Sequence, residues 1–386
     1  MHTMNFKIRR FQMQYKNAFI YTENFCFEKG CFSIEDGKFS NVLGAEAPDA
    51  IDLEGAYVIP GLIDVHTHGN SGADFSDGEV TGVEKMAKYF AANGITSFAP
   101  ASMTLPYEVL EKAFASARAF VDSKVEGAAA LRGIQMEGPF FSEKKKGAQN
   151  GAYLKNPDFE AFAKLQAGCG NLVKIVDIAP ELPGSVEFIE KAKELCTVSI
   201  AHTDADYDAA AAGVKAGVTH LTHLYNAMPA IHHRKPGVIA AAAENENVSA
   251  EIISDGEHVH PASVRLAFRL FGAERMVLIS DSLRCCGMPD GEYELGGQQV
   301  FMKAGLARLA DGTIAGSATN LYECMLRAIS FGIKKEDAIR AASYNPARQI
   351  GALSEVGSIA DGKVADFVIC DENLARKAVY LAGKRL

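Results

Sequence analysis

The sequence predicts an α/β protein: a (β/α)8 TIM-like barrel with a small β domain built from both chain ends. Three observations predict it. From residue 58 to about 281, short apolar β-branched runs alternate with stretches of helical period, the pattern of repeated βα units around a parallel sheet. Eight such runs can be counted. The chain has 386 residues, well beyond the ~250 that such a barrel occupies, and the excess lies at the two ends.

The strands, in order, are VIPGLIDV (58 to 65), ITSFAPA (95 to 101), GIQM (133 to 136), LVKIVDI (172 to 178), TVSIA (197 to 201), VTHLTH (218 to 223), VSAEIIS (248 to 254) and RMVLIS (275 to 280). After the first, VEKMAKYFAANG (83 to 94) sets Met86, Phe90 and Ala91 on one helical stripe and stops at Asn-Gly, a good C-terminal signal. Connectors at 106 to 121, 185 to 195, 205 to 217 and 261 to 272 repeat the apolar spacing of three or four that a helix packed on a sheet needs. Residues 19 to 42 are broken at Lys-Gly and Asp-Gly, so hairpins are expected there. The segment 356 to 386 reads the same way. Neither end buries a core alone, so 1 to 57 and 351 to 386 are expected to pair beside a barrel spanning 58 to 350. A β insertion near 291 to 314 and two helices over 317 to 345 complete the barrel segment.

Hydrophobic residues at 48% and charged residues at 23% fit an ordinary soluble globular protein, and no stretch reaches the apolar length of a membrane span. The first twenty residues lack a continuous apolar core and a small-residue cleavage site, so no secretory signal is read and a cytoplasmic location is expected. Eight scattered cysteines, none in a C-x-x-C pair, read as reduced thiols. A net charge of -9 argues against nucleic acid, whose binding depends on Lys and Arg neutralising phosphates. The basic runs KKK (144 to 146) and HHRK (232 to 235) read as solvated loop charge.

Side chains in a strand alternate faces, so His66 and His68 point the same way at the carboxyl end of the first strand. That is the end of a barrel where catalytic groups collect. The same position on later strands gives Glu137, His202, His223 and Asp281. Five candidate ligands and a further carboxylate share a rim. Imidazole with carboxylate favours zinc, iron or a similar divalent ion, and an open coordination position makes such a site catalytic. A lone histidine is usually a hydrogen-bonded or surface residue; concerted placement at strand ends reverses that reading. By parity, His220 and His223 face opposite sides of a regular strand, so His223 is the candidate ligand and His220 structural. His2, His232, His233 and His260 lack strand-end placement and read as surface residues. The bland role for Asp281 is an N-cap for the Ser-Leu-Arg that follows.

VIPGLIDVHTHG, MEGPFF, KKGAQN, AHTDA, THLYNAMPAIHHRKPG, ISDGEHV, ISDS and GSATNL resemble the N-acetylglucosamine-6-phosphate deacetylases, a branch of the amidohydrolase superfamily, over nearly the whole chain. The resemblance implies metal-dependent hydrolysis of N-acetylglucosamine 6-phosphate to glucosamine 6-phosphate and acetate. It places Glu137, His202 and His223 on a principal metal, Glu137 standing where a carboxylated lysine stands elsewhere in the superfamily. With His66 and His68 present, it implies a second metal bridged through Glu137. Asp281 would take the water proton and return it to the departing amine. Some relatives carry histidine where this chain has Gln149, which can donate a hydrogen bond but carries no charge. Phosphate recognition falls by resemblance to Arg234 and His258, with Asn226 and the backbone of Ala227 nearby, and Arg234 would reach across a homodimer interface. Rival expectations are a sibling enzyme acting on N-acetylgalactosamine 6-phosphate, an N-acyl amino acid or a cyclic amide, and a non-catalytic scaffold of the same fold.

Overall fold

The computed structural model describes residues 12–386; His2 lies outside the described residues. One sheet gathers both chain ends in the order Lys384–Arg385, Arg376–Leu381, Phe367–Cys370, Tyr57–Pro60, Gln12–Tyr21, Phe27–Glu35, Lys38–Ser40, with Ile51–Asp52 also pairing to Gln12–Tyr21. Phe367 lies opposite Pro60 and Cys370 opposite Tyr57, antiparallel. This sheet closes over an aromatic core of Tyr15, Phe32, Phe39, Phe367 and Tyr380. Phe367 and Tyr380 stack with ring centroids 4.3 Å apart.

Parallel strands make up the rest of the scaffold. Leu62–Asp64, Ile95–Phe98 and Ala130–Leu131 pair in one group, and Ile134–Met136, Val173–Ile178, Thr197–Ile200, His220–Leu221, Ser249–Ile253 and Met276–Ile279 in another. A parallel bridge between Ala101 and Gln135 spans one gap between the groups. At the other, the Asp281 N–H donates to the His66 carbonyl at 2.9 Å. The result is a curled parallel sheet. Val80–Ala92 illustrates how helices cover it, burying Val83, Met86, Ala87, Phe90 and Ala91, the stripe that the sequence spacing marks.

Two expectations need correction. The run 58 to 65 is not one strand: Tyr57–Pro60 belongs to the terminal sheet and Leu62–Asp64 to the parallel curl. Proline ends the ladder by lacking an N–H, and a Cβ on Gly61 would lie 2.1 Å from Thr96 Oγ1. Nor is Lys-Gly a turn. Gly30 sits inside Phe27–Glu35, where a side chain would strike Leu43 Cδ2 at 2.7 Å, the close approach that glycine in a strand commonly marks. Asp36-Gly37, with φ of 51° and 77°, is the turn.

The insertion is a four-stranded antiparallel meander, Gly291–Leu295, Gln298–Lys303, Leu306–Leu309 and Ile314–Ser317. Its last strand returns beside Asp281: the Ser317 N–H donates to the Asp281 carbonyl at 2.8 Å. Helices Leu321–Ser330 and Lys335–Ala342 follow, then a third, Tyr344–Gln349. All eight cysteines are free thiols.

Candidate metal centre

All six strand-end groups converge, in two triads. Ligand atoms of Glu137, His202 and His223 lie within 4.8 Å of one another, and so do those of His66, His68 and Asp281. Glu137 Oε1 is 3.0 Å from His202 Nε2 and 3.2 Å from His223 Nε2. Glu137 Oε2 is 3.2 Å from His68 Nε2, and Asp281 Oδ1 is 3.3 Å from the same nitrogen. His66 Nε2 faces Glu137 and Asp281 at 3.7 Å each. Glu137 therefore stands between the triads and touches both.

Backbone geometry explains how the side chains meet. His202, His223 and Asp281 have φ of 45°, 28° and 49°, a left-handed region costly for non-glycine residues and concentrated at functional sites. Each lies two residues beyond the last residue of its strand and swings inward. Strand parity does not extend through such a turn, so the opposite-faces argument for His220 and His223 does not hold. Both reach the interior: His220 bonds Ser199 Oγ through Nδ1 at 3.1 Å, and His223 reaches Glu137. Asp281 is not a helix cap, since turns follow it.

Second contacts fix the rings. His202 Nδ1 lies 2.9 Å from the Lys145 carbonyl, His68 Nδ1 3.2 Å from the Ala101 carbonyl and His66 Nδ1 2.9 Å from Glu251 Oε2. Because these partners accept, each Nδ1 carries a proton and each Nε2 is turned toward the cluster. In KKK, the Lys145 backbone thus serves the site while Lys144 forms an exposed pair with Asp204.

Burial opposes charge throughout the cluster. On His66, the Glu251 and Glu137 carboxylates outweigh burial and push the pKa up to about 10. Burial likewise opposes charge on His68, but hydrogen bonds to Asp281 and Glu137 raise it well above the ordinary value. Burial would raise Glu137, yet the four surrounding histidines hold it well below the carboxylate range. Asp281 is lowered against burial by His68 and His66.

These residues fit divalent metal ions. His202 Nε2 and His223 Nε2 face each other at 3.1 Å, a separation that requires a shared proton or a cation between them. His66 Nε2 is buried with no hydrogen-bond partner among the described residues. Orphaned, convergent nitrogens beside carboxylates are a donor set for zinc or iron.

A pocket of about 300 Å³ opens over the centre, lined also by Gln149, Asn226, Ala227, His258 and Thr313 to Gly316. Gln149 is clamped: its Oε1 accepts the Thr104 N–H at 2.7 Å and its Nε2 donates to Glu137 Oε2 at 2.9 Å. His258 Nδ1 lies 2.7 Å from Asp255 Oδ2; burial opposes its charge, but the Asp255 bond wins and raises its pKa. Asn226 Nδ2 donates to the His223 carbonyl at 3.2 Å. Arg234 is exposed, stands against His233 Nε2 at 2.6 Å and is absent from the pocket lining. His260 caps the helix Pro261–Phe271 by accepting the Ala262 N–H. Sequence reading missed Glu251, Asp255 and the Thr313 to Gly316 wall. Glu251 left a signal as a lone acid in the apolar run VSAEIIS, and Asp255 lies within the quoted segment ISDGEHV.

Residues 57–386 match the Amidohydrolase family. An N-acetylglucosamine-6-phosphate deacetylase of Bacillus subtilis is 38% identical over 92% of each chain. An N-acetylgalactosamine-6-phosphate deacetylase of Escherichia coli is 32% identical over 84% of this chain and 86% of its own. The structure of a Mycobacterium smegmatis N-acetyl-D-glucosamine-6-phosphate deacetylase, an aspartate-to-alanine mutant in complex with N-acetyl-D-glucosamine-6-phosphate, superposes with a TM-score of 0.90 at 30% identity, covering 97% of this chain and 99% of that one. The chain belongs to the amidohydrolase family, grouped with its N-acetylglucosamine-6-phosphate deacetylases.

Proposed function

We propose that the protein hydrolyses N-acetylglucosamine 6-phosphate to glucosamine 6-phosphate and acetate, with Glu137, His202 and His223 holding one divalent ion and His66 and His68, beside Glu137, a second, and with Asp281 next to them as the catalytic carboxylate. The observation that carries this reading is Glu137, one buried carboxylate in contact with both triads at the floor of an open pocket. Such an ion, when bound, lowers the pKa of water toward neutrality and offsets negative charge developing on the carbonyl oxygen.

The chain's own groups do the rest. Asp281, lowered in pKa, is a base at neutral pH and takes a proton from the attacking water. It returns that proton to the amide nitrogen as the C–N bond breaks, because an amine leaves only when protonated. Gln149 braces Glu137 with one amide hydrogen and has a second to offer the acetyl oxygen. His258, its pKa raised by Asp255, and Asn226 with the Ala227 backbone orient the sugar and its phosphate. Arg234, outside its own pocket, is assigned to the phosphate in the neighbouring subunit of a homodimer, where its fork suits phosphate oxygens. The two parallel strand groups, beginning at Leu62 and with Ala130–Leu131 and Ile134–Met136 counted as one interrupted strand, are assigned to one closed eight-stranded barrel within a segment ending near 350, and the metal to zinc or iron. A cytoplasmic location suits a phosphorylated substrate; no helix among the described residues is long and apolar enough to cross a membrane.

The test is acetate release from N-acetylglucosamine 6-phosphate measured together with the metal-to-protein ratio. Turnover is expected with bound metal and a strong preference over the unphosphorylated sugar; equal rates on both would remove the phosphate reading. The Escherichia coli relative favours one alternative, the galacto epimer, and faster acetate release from that epimer would establish it.

A further inference from the structure

Glu251 lies in Ser249–Ile253, flanked in the sheet by His220–Leu221 and Met276–Ile279. It is completely buried and does not line the pocket, so it cannot touch a substrate. A carboxylate withdrawn from water costs several kcal/mol unless it is paired. Its partners are particular: one oxygen, Oε2, is 2.9 Å from His66 Nδ1 and 3.3 Å from the backbone N of His223. The Glu251 carbonyl also accepts the Leu224 N–H at 2.8 Å. One residue thus grips a ring from one triad and the left-handed turn that delivers a ligand of the other.

The two grips differ in dependence on the side chain. The turn would lose the His223 N–H bond to Oε2, but the Leu224 bond uses the Glu251 carbonyl and survives any substitution, and His202 and His223 are additionally bound to Glu137. Among the described residues His66 has no comparable second support: its Nδ1 meets only Glu251, and its Nε2 has no hydrogen-bond partner. Without Oε2 the His66 ring loses both its orientation and the acceptor that keeps the proton on Nδ1.

We propose that Glu251 is a positioning residue that makes the His66–His68 site able to hold an ion, and so sets the number of metal ions per chain. This rests on the metal reading above.

Wild-type protein, Glu251→Gln and Glu251→Ala, each first stripped and then equilibrated with buffered Zn²⁺, would be compared by metal content per chain across free Zn²⁺ concentrations. Wild type is expected to take two ions. In Glu251→Ala the affinity for one ion should fall about 10- to 100-fold while the other stays within about threefold. Glu251→Gln should fall between, since its amide oxygen still accepts from Nδ1 without charge. In a His66→Ala background, Glu251→Gln should change metal content no further, an outcome that a general packing role would not give. Two ions held at unchanged affinity in both variants would overturn the inference, as would loss of both ions together. A wild type that binds one ion overturns it too. A wild type that binds none overturns the metal reading with it.

Discussion

In the terminal sheet, the Phe367 ring stacks on Tyr380 at 4.3 Å and meets Phe32 edge-on at 5.2 Å; at the mouth of the parallel curl, two imidazole nitrogens confront each other at 3.1 Å. Both regions are buried. In the first, each contact is favourable by itself, through apolar burial and ring geometry. In the second, charged and polar groups are withdrawn from water and held close by a shell of carbonyls and carboxylates. One region stabilises the fold unaided, and the other is completed by what it binds.

The largest effect expected is on chemistry at the mouth. Asp281→Asn should lower kcat by about 10²- to 10⁴-fold with metal still bound, read by steady-state kinetics and metal content. Loss of an ion instead would make Asp281 chiefly a ligand.

Phe367→Ala tests the other region. Removing a ring from the aromatic core should cost about 3–5 kcal/mol, measured by denaturant unfolding, while acetate release per folded molecule is unchanged. A large fall in kcat would mean that the two regions are not separate in role.

Metal removal comes next. Binding to the folded state alone contributes about 2.7 kcal/mol per site at a free metal concentration 100 times Kd, so chelation should lower the unfolding temperature in a way that added metal reverses. His66, pushed up to about 10, and His68 and His223, also raised, hold protons that an ion must displace. Loading should therefore release protons, and apparent affinity should rise with pH and fall on acidification, as metal titrations at several pH values would reveal.

Smaller effects lie at the pocket's edge. Arg234→Ala should raise KM for the phosphorylated sugar about tenfold or more with little change in kcat, and an unchanged KM would refute that contact. Asp255→Asn removes the carboxylate that raises His258. His258 then loses its charge at lower pH, so the alkaline rise in KM should begin earlier than in wild type.

How far these regions were legible depends on how each is encoded. The parallel strands and Val80–Ala92 follow apolar periodicity, which is local, and all six rim residues follow from position at strand ends. Tyr57–Pro60 was misassigned because strand propensity carries no information about which sheet a strand joins; proline and the glycine facing Thr96 decide that. Gly30 was misread because the residue it makes room for, Leu43, is distant in sequence. The Thr313 to Gly316 wall depends on a meander folding back over the mouth, a long-range event with no periodic trace, while the Asp255–His258 pair is a three-residue contact in the loop after Ser249–Ile253 that apolar periodicity does not register. The resemblance supplied the roles of Glu137 and Asp281, and geometry alone added Glu251.

The left-handed backbone at His202, His223 and Asp281 bears on anyone who would transplant this centre. Copying the same six side chains onto an idealised barrel with regular strand ends would leave three of them aimed at the wrong place. What has to be grafted is the kinked main chain together with the neighbours that keep it kinked, and a library that varies side chains on a fixed ideal scaffold would search the wrong variable.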